Sequence, residues 1–76
     1  MNIRKYSDFE VGDAVIRRWN NRLYYIIADV DCGKWEFLIH ENKDAKVKDC
    51  KVCDMYSNLR LATMGEIVKG YAEEEF

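Results

Sequence analysis

The chain has no proline, one histidine and two serines, Ser7 and Ser57, among its 76 residues. A Ser/His/Asp hydrolase needs a hydroxyl, an imidazole and a carboxylate brought together. Here His40 is the sole imidazole, and Ser57 lacks the surroundings of a nucleophile elbow. Carboxylates paired along one strand face are absent, and the four glycines are scattered rather than gathered into a phosphate-cradling loop. The expectation is a protein that is not an enzyme. Long apolar runs are missing as well. The longest, Leu23 to Val30, is interrupted by Asp29 and falls well short of the ~20 residues of a membrane span. The opening Met-Asn-Ile-Arg-Lys-Tyr lacks the apolar stretch of a secretory signal, so a cytoplasmic location with no membrane partner is expected.

Cysteine is present but does not suggest a scaffold. Three thiols are an odd number in a chain without a signal, which argues against a disulfide framework. Cys50-Lys-Val-Cys53 has the spacing of a zinc half-site, with Cys32 and His40 as the nominal other half. An extended segment would hold Cys32 and His40 about 26 Å apart at ~3.3 Å per residue, too far to share an ion. Two cysteines three apart on a strand also point to opposite faces. No metal and no cofactor are expected. A zinc- or redox-sensitive use of Cys50 and Cys53 stays open as an alternative, the redox form needing a thiol pKa lowered by Lys48 or Lys51.

Charge of a single sign is lacking too. Twelve basic against fourteen acidic side chains leave a net −2, no blanket attraction for nucleic acid. The balance drifts along the chain. Residues 1–30 hold five Lys/Arg against four Asp/Glu, residues 31–53 five against five, and residues 54–76 two against five. The tail Glu73-Glu74-Glu75-Phe76 would repel phosphate and equally serves as a solubilising end.

What is present is the composition of an ordinary globular domain, 49 % hydrophobic and 34 % charged. One domain over 1–76 is expected. So short a chain buries only about 60 % of its unfolded surface, which makes its stability marginal. Phe9-Glu-Val-Gly-Asp-Ala-Val15 reads as a turn into a strand, with Gly12 free to take positive φ and Asp13 able to bond nearby amides. Alternation then gives strands over 14–19 and 22–30 joined by Asn20-Asn21. A third, over 34–41, follows the three-residue loop Asp31-Cys32-Gly33. A fourth strand over 46–54 alternates poorly, and a short fifth covers 59–61. Thr63 with Glu66 forms a capping box for a helix over 64–72, with Ile67, Val68 and Tyr71 as its buried side.

Those two tight turns set a register. Trp19 faces Arg22, Arg17 faces Tyr24 and Val15 faces Ile26 across the first. Asp29 faces Trp35, Ile27 faces Phe37, Tyr25 faces Ile39 and Tyr24 faces His40 across the second. The expected core face is Ala14, Ile16, Leu23, Tyr25, Ile27, Trp35, Phe37 and Ile39. The other face then carries Val15, Arg17, Trp19, Arg22, Tyr24, Ile26, Leu38 and His40. The predicted fold class is mainly β, a small SH3-like barrel of about five antiparallel strands with a short C-terminal helix, closure being favoured because it removes open edges.

Two stretches resemble known families. Phe9 to Val15 is similar to the opening of SH3-like, Tudor and KOW barrels, where a Gly-Asp pair precedes the first long strand. Leu59-Arg-Leu-Ala-Thr-Met-Gly-Glu-Ile-Val-Lys-Gly70 resembles the Leu-Arg-x-Ala-Thr-Pro-Glu-Glu-Ile-x-x-Gly ending of small orphan phage and prophage accessory proteins. Met64 and Gly65 stand where that ending has Pro-Glu. The resemblance implies a phage accessory origin rather than a mechanism.

The candidate contact surface is the basic, aromatic strip of Arg17, Trp19, Arg22, Tyr24 and His40. Arginine and large aromatics dominate protein-interface energetics, and the same groups can stack bases and pair phosphates. The bland alternative is that a curled barrel buries this face, with Trp19 and Tyr24 closing it and arginines snorkelling out. The expected function is a non-enzymatic, phage-encoded binder that inhibits or modulates a host protein or protein complex, of the anti-defence or host-takeover type. A Tudor/KOW-like nucleic-acid-binding barrel using Arg17, Arg18 and Arg22 is the alternative. Either a monomer or a homodimer is compatible with the sequence.

Overall fold

The first strand is launched by a turn that only glycine takes cheaply. In a computed structural model, which describes residues 7–73, Gly12 has φ 97° and donates its N–H to the Ile26 carbonyl at 2.8 Å. Asp13 locks the same turn by accepting the Glu10 N–H at 2.9 Å. Strand β1 follows over Ala14–Arg17, then β2 Arg22–Asp29, β3 Glu36–His40, β4 Val52–Met55 and β5 Leu59–Leu61. All neighbours are antiparallel in a single sheet of order β4-β3-β2-β1-β5. One short helix, α1 over Met64–Lys69, comes last. The expected class therefore holds: a mainly β protein with five antiparallel strands and a short C-terminal helix. Strands β4 and β5 end the sheet on either side, and one 3₁₀ turn, Tyr56–Asn58, joins them.

The first hairpin is wider than expected. Arg17 pairs with Arg22 and Val15 with Tyr24, so the connection is the four residues 18–21 rather than Asn20-Asn21 alone. Asn21 takes φ 59°, and its N–H bonds the Arg17 carbonyl at 2.8 Å. Asn20 accepts the Arg22 N–H and donates to the Tyr24 hydroxyl, at 3.1 and 3.0 Å. This shift of two positions keeps the side chains of β1 and β2 grouped on shared faces as expected.

The second hairpin changes the faces. Its connection is six residues, Val30 to Trp35, and Ile26 pairs with Ile39 and Tyr25 with His40. Left-handed φ falls on Cys32 and Lys34 rather than on Gly33. Asp31 accepts the N–H groups of Gly33 and Trp35 while Asp29 accepts that of Lys34, so two carboxylates satisfy the wide loop's amides. A one-position change in register turns every side chain of a strand over. Tyr24 and Ile26 therefore join Phe37 and Ile39 in the core, and Tyr25 and Ile27 are only half-buried on the opposite face. A bulge between Ile26 and Ala28 then brings Asp29 opposite Phe37.

The buried cluster is Val15, Tyr24, Ile26, Phe37, Ile39 and Leu59, with Phe9, Val52 and Tyr56 packed against it. Phe9 meets Phe37 edge to face at 5.8 Å between ring centroids. Of the expected core, Phe37 and Ile39 belong to this cluster. Ile16 and Leu23 are also buried, yet they pair with each other on the reverse face, where Arg60 of β5 stands opposite Ile16. Ala14 and Trp35 are half-buried, Trp35 lying edge-on to Tyr56 at 5.3 Å.

Helix α1 lies over that reverse face through a polar anchor. Thr63 and Glu66 form the reciprocal capping box, and Gly70 ends the helix at φ 84°, three residues before the expected boundary. The buried residue of α1 is Glu66, 1 % exposed, while Val68 is 84 % exposed and Tyr71 more than half exposed. Of the apolar side assigned to this helix, Ile67 is half-buried while Val68 and Tyr71 face outward. A six-residue helix is held by its cap and ion pair more than by greasy area. Between Glu41 and Val52 the expected strand gives way to a 3₁₀ turn, Val47–Asp49, capped by Asp49 accepting the Lys46 N–H at 3.1 Å. The tail residues beyond Glu73 and the opening six residues lie outside the described residues. Among the described residues no helix is long and apolar enough to cross a membrane.

Candidate functional site: the first-hairpin tip

The strip expected on one face divides in three. Arg17 leaves the end of β1 toward the core side and donates Nε to the Asp54 carboxylate of β4 at 2.7 Å. Its guanidinium carbon lies 4.8 Å from the Trp19 ring centroid and 5.8 Å from that of Tyr24. Tyr24 is 7 % exposed, so it belongs to the core and offers a partner almost nothing. Arg17 is itself only 16 % exposed at its side chain. Trp19, on the loop, is 70 % exposed. Arg22 sits across from Arg17 in the ladder but reaches away, to Glu41 at 3.6 Å. His40 stands opposite Tyr25 instead of Tyr24, and its Nδ1 accepts the Asn42 N–H at 2.9 Å. His40 is therefore separated from the Arg17–Trp19 group, because β3 is shifted by one position.

The electrostatics make Arg17 a fixture. Burial pulls its pKa down, but hydrogen bonds to Asp54 and Tyr24 more than restore it, leaving it above its ordinary value. Asp54 responds in the mirror sense. Its burial would raise the pKa, and hydrogen bonds from Asn58 and Arg17 and from the Met55 amide push it below the ordinary carboxylate range. A charged, paired Arg17 gives the exposed indole a fixed cationic plane to lie against, worth roughly 0.5–1 kcal/mol at such a site.

Beside this tip runs an open groove between the first-hairpin loop and the chain after α1. Arg18, Asn20, Asn21 and Arg22 line one wall; Arg60 and Lys69 through Glu73 line the other. The walls are tied by the Ala72 N–H to the Asn21 carbonyl at 2.7 Å and the Leu23 N–H to the Gly70 carbonyl at 3.2 Å. Tyr71 bridges Arg22 in the same way. The sequence places Arg18 in a basic run, but Arg60 and Lys69 reach the groove only through the fold.

The thiols are apart from this site. Cys50 donates to the Lys46 carbonyl at 3.4 Å and Cys53 to Glu36 at 3.5 Å. Burial and then neighbouring acids, Asp49 for Cys50 and Glu36 for Cys53, push both thiols up, opposite to what nucleophilic or redox use requires. Among the described residues no group of three or more His, Cys, Asp or Glu is placed to hold a metal ion. No protein-family model matches the chain, and no curated protein or solved structure matches it either.

Proposed function

We propose that this protein is a non-enzymatic binding module that docks on another protein through the tip of its first hairpin. One observation carries the reading: Trp19 is 70 % exposed, yet its ring lies against a guanidinium that Asp54 anchors. A large exposed aromatic with a fixed environment loses little freedom on binding, which is the character of an interface hot spot. Arg22, exposed at the base of the same hairpin, serves as a polar rim contact, whereas Arg17 and Tyr24 act by support rather than by touching the partner. On this reading the frame is a small SH3-like barrel working in the cytoplasm as monomer or homodimer. The resemblance of residues 59–70 to phage accessory proteins supports a phage-encoded inhibitor or modulator of a host complex.

A nucleic-acid reading has one observation in its favour, the cations of the adjoining groove. Three of the four already face carboxylates, Arg22 with Glu41, Arg60 with Glu66 and Lys69 with Glu73. That arrangement offers a phosphate backbone little uncompensated charge, and the reading ranks second. Affinity capture from bacterial lysate with the wild-type protein and Trp19→Ala separates the cases. The proposal expects one reproducible protein partner, retained after nuclease treatment and lost in Trp19→Ala, with the variant's circular dichroism unchanged. Capture that survives Trp19→Ala, or that disappears with nuclease, contradicts it.

A further inference from the structure

The cations of the groove differ in how firmly they are committed. Arg60 gives two N–H groups to the Glu66 carboxylate at 2.8 and 2.6 Å, and Glu66 is buried, so this pair forms a fixed wall. Arg22 and Lys69 reach Glu41 and Glu73 only at 3.6 and 3.8 Å, with all four side chains well exposed. Exposed pairs of that kind are worth ~0–1 kcal/mol, so they exchange partners at little cost. Arg18, also exposed, has no side-chain partner among the described residues.

We infer that this groove binds an acidic segment of the partner protein, whose carboxylates take Arg18 and replace Glu41 and Glu73 on Arg22 and Lys69. The inference rests on the protein-docking reading above and names the chemistry of the docked surface. Carboxylates on separate side chains substitute one for one, each forming the charge-assisted pair these cations already make with carboxylates of their own chain. A phosphate strand lacks that freedom. Its charges sit at a fixed backbone spacing, and it would run against Glu73 in the wall and against Glu41, which pairs with Arg22, on a chain whose net charge is −2. The main-chain ties from Ala72 to Asn21 and from Leu23 to Gly70 set the groove's width before any ligand arrives.

The probe is a fluorescent hexaglutamate peptide followed by anisotropy at low ionic strength, beside a single-stranded oligothymidylate carrying the same number of charges. Saturable hexaglutamate binding is expected, tighter than that of the oligonucleotide. It should weaken about fivefold or more in Arg18→Glu/Lys69→Glu, as loss of two charge-assisted contacts implies. Arg18→Ala, which removes no side-chain hydrogen bond or ion pair among the described residues, is the companion variant and should weaken binding in the same direction. Absence of hexaglutamate binding, binding by either variant as tight as that of wild type, or tighter binding of the oligothymidylate with a steep salt dependence overturns the assignment. Partner capture then separates this inference from its parent. Capture that depends on Trp19 but is indifferent to Arg18→Ala and to the double charge reversal removes the acidic segment alone. Capture indifferent to Trp19→Ala removes the docking reading itself.

Discussion

Arg17 Nε donates to Asp54 Oδ2 at 2.7 Å, joining β1 to a strand that lies three places away in the sheet. In a flat sheet those strands would stand about 14 Å apart, at ~4.8 Å per step. The bond exists because the sheet curls, and the curl is what turns the Arg17 side chain beneath Trp19. Support for the exposed indole and the curl of the sheet thus depend on the same pair.

Removing both partners should cost less than the two single losses combined. Arg17→Ala leaves the buried Asp54 carboxylate without its cation, and Asp54→Ala leaves Arg17 half-buried and unpaired. Each single change is expected to lower the unfolding free energy by about 2–3 kcal/mol, and the double change by less than the sum. Urea titrations of the four proteins measure this. Additive losses below about 0.5 kcal/mol each would show that the pair does not hold the curl.

Acid should loosen the C-terminal helix. Two hydrogen bonds from Arg60, assisted by the Thr63 and Glu73 amides, hold the Glu66 carboxyl down to about 2 from an ordinary 4.5. A pKa depressed in the folded state adds stability that is fully present above the unfolded value and fades as pH falls through the folded one. Stability is therefore expected to be flat in this contribution above pH 4.5 and to decline from there toward pH 2. Solvent reaches Arg60, so roughly 3 kcal/mol is an upper bound on the loss. Glu66→Gln should be less stable at neutral pH and should lose most of the dependence in that window. An unchanged slope in Glu66→Gln would assign the acid transition elsewhere.

Much of this architecture is legible in the sequence, and the failures have a common physical source. Gly12 with Asp13 and Thr63 with Glu66 mark their turn and cap because local hydrogen bonding needs those residue types there. The faces of β2 are not legible in the same way. Tyr24-Tyr25-Ile26-Ile27 is apolar on both sides, so alternation cannot choose between them, and the choice passes to the length of the loop after Asp29. Asp29 and Asp31 satisfy the amides of a six-residue loop, and the strand turns over. Trp19 and Arg22 stand exposed as candidate contact residues, whereas Tyr24 becomes core and His40 separates from Arg17. Asp54 is invisible as Arg17's partner because it lies 37 positions further along the chain. The same holds for Lys69 and Arg60, brought beside Arg18 only when α1 folds back.

The ends of α1 should respond to single substitutions of opposite kinds. Thr63→Ala removes the hydroxyl that accepts the Glu66 N–H at 3.2 Å and should cost ~1 kcal/mol. Gly70→Ala meets no neighbour within 4 Å, yet its φ of 84° penalises any Cβ, for a loss of about 1 kcal/mol. Val68→Ala, at an exposed helical position, serves as a control and should stay within about 0.5 kcal/mol. Thermal unfolding ranks the three, and a Gly70→Ala protein as stable as wild type would mean that the helix ends differently.

Both thiols near β4 should be sluggish nucleophiles. Burial and adjacent acids raise Cys50 and Cys53, so the thiolate fraction at neutral pH is small. Iodoacetamide labelling resolved by peptide mass spectrometry should give rates at pH 7 below that of free cysteine, rising as pH increases. Faster labelling at Cys50 or Cys53 than in free cysteine would restore the redox reading.

The most direct test follows the two indoles separately. In ¹H–¹⁵N spectra recorded as the captured partner is added, the Trp19 indole signal should shift or broaden, while that of Trp35, lying edge-on to Tyr56, stays in place. Movement confined to Trp35, or an unmoved Trp19 at saturation, would contradict docking through the first-hairpin tip.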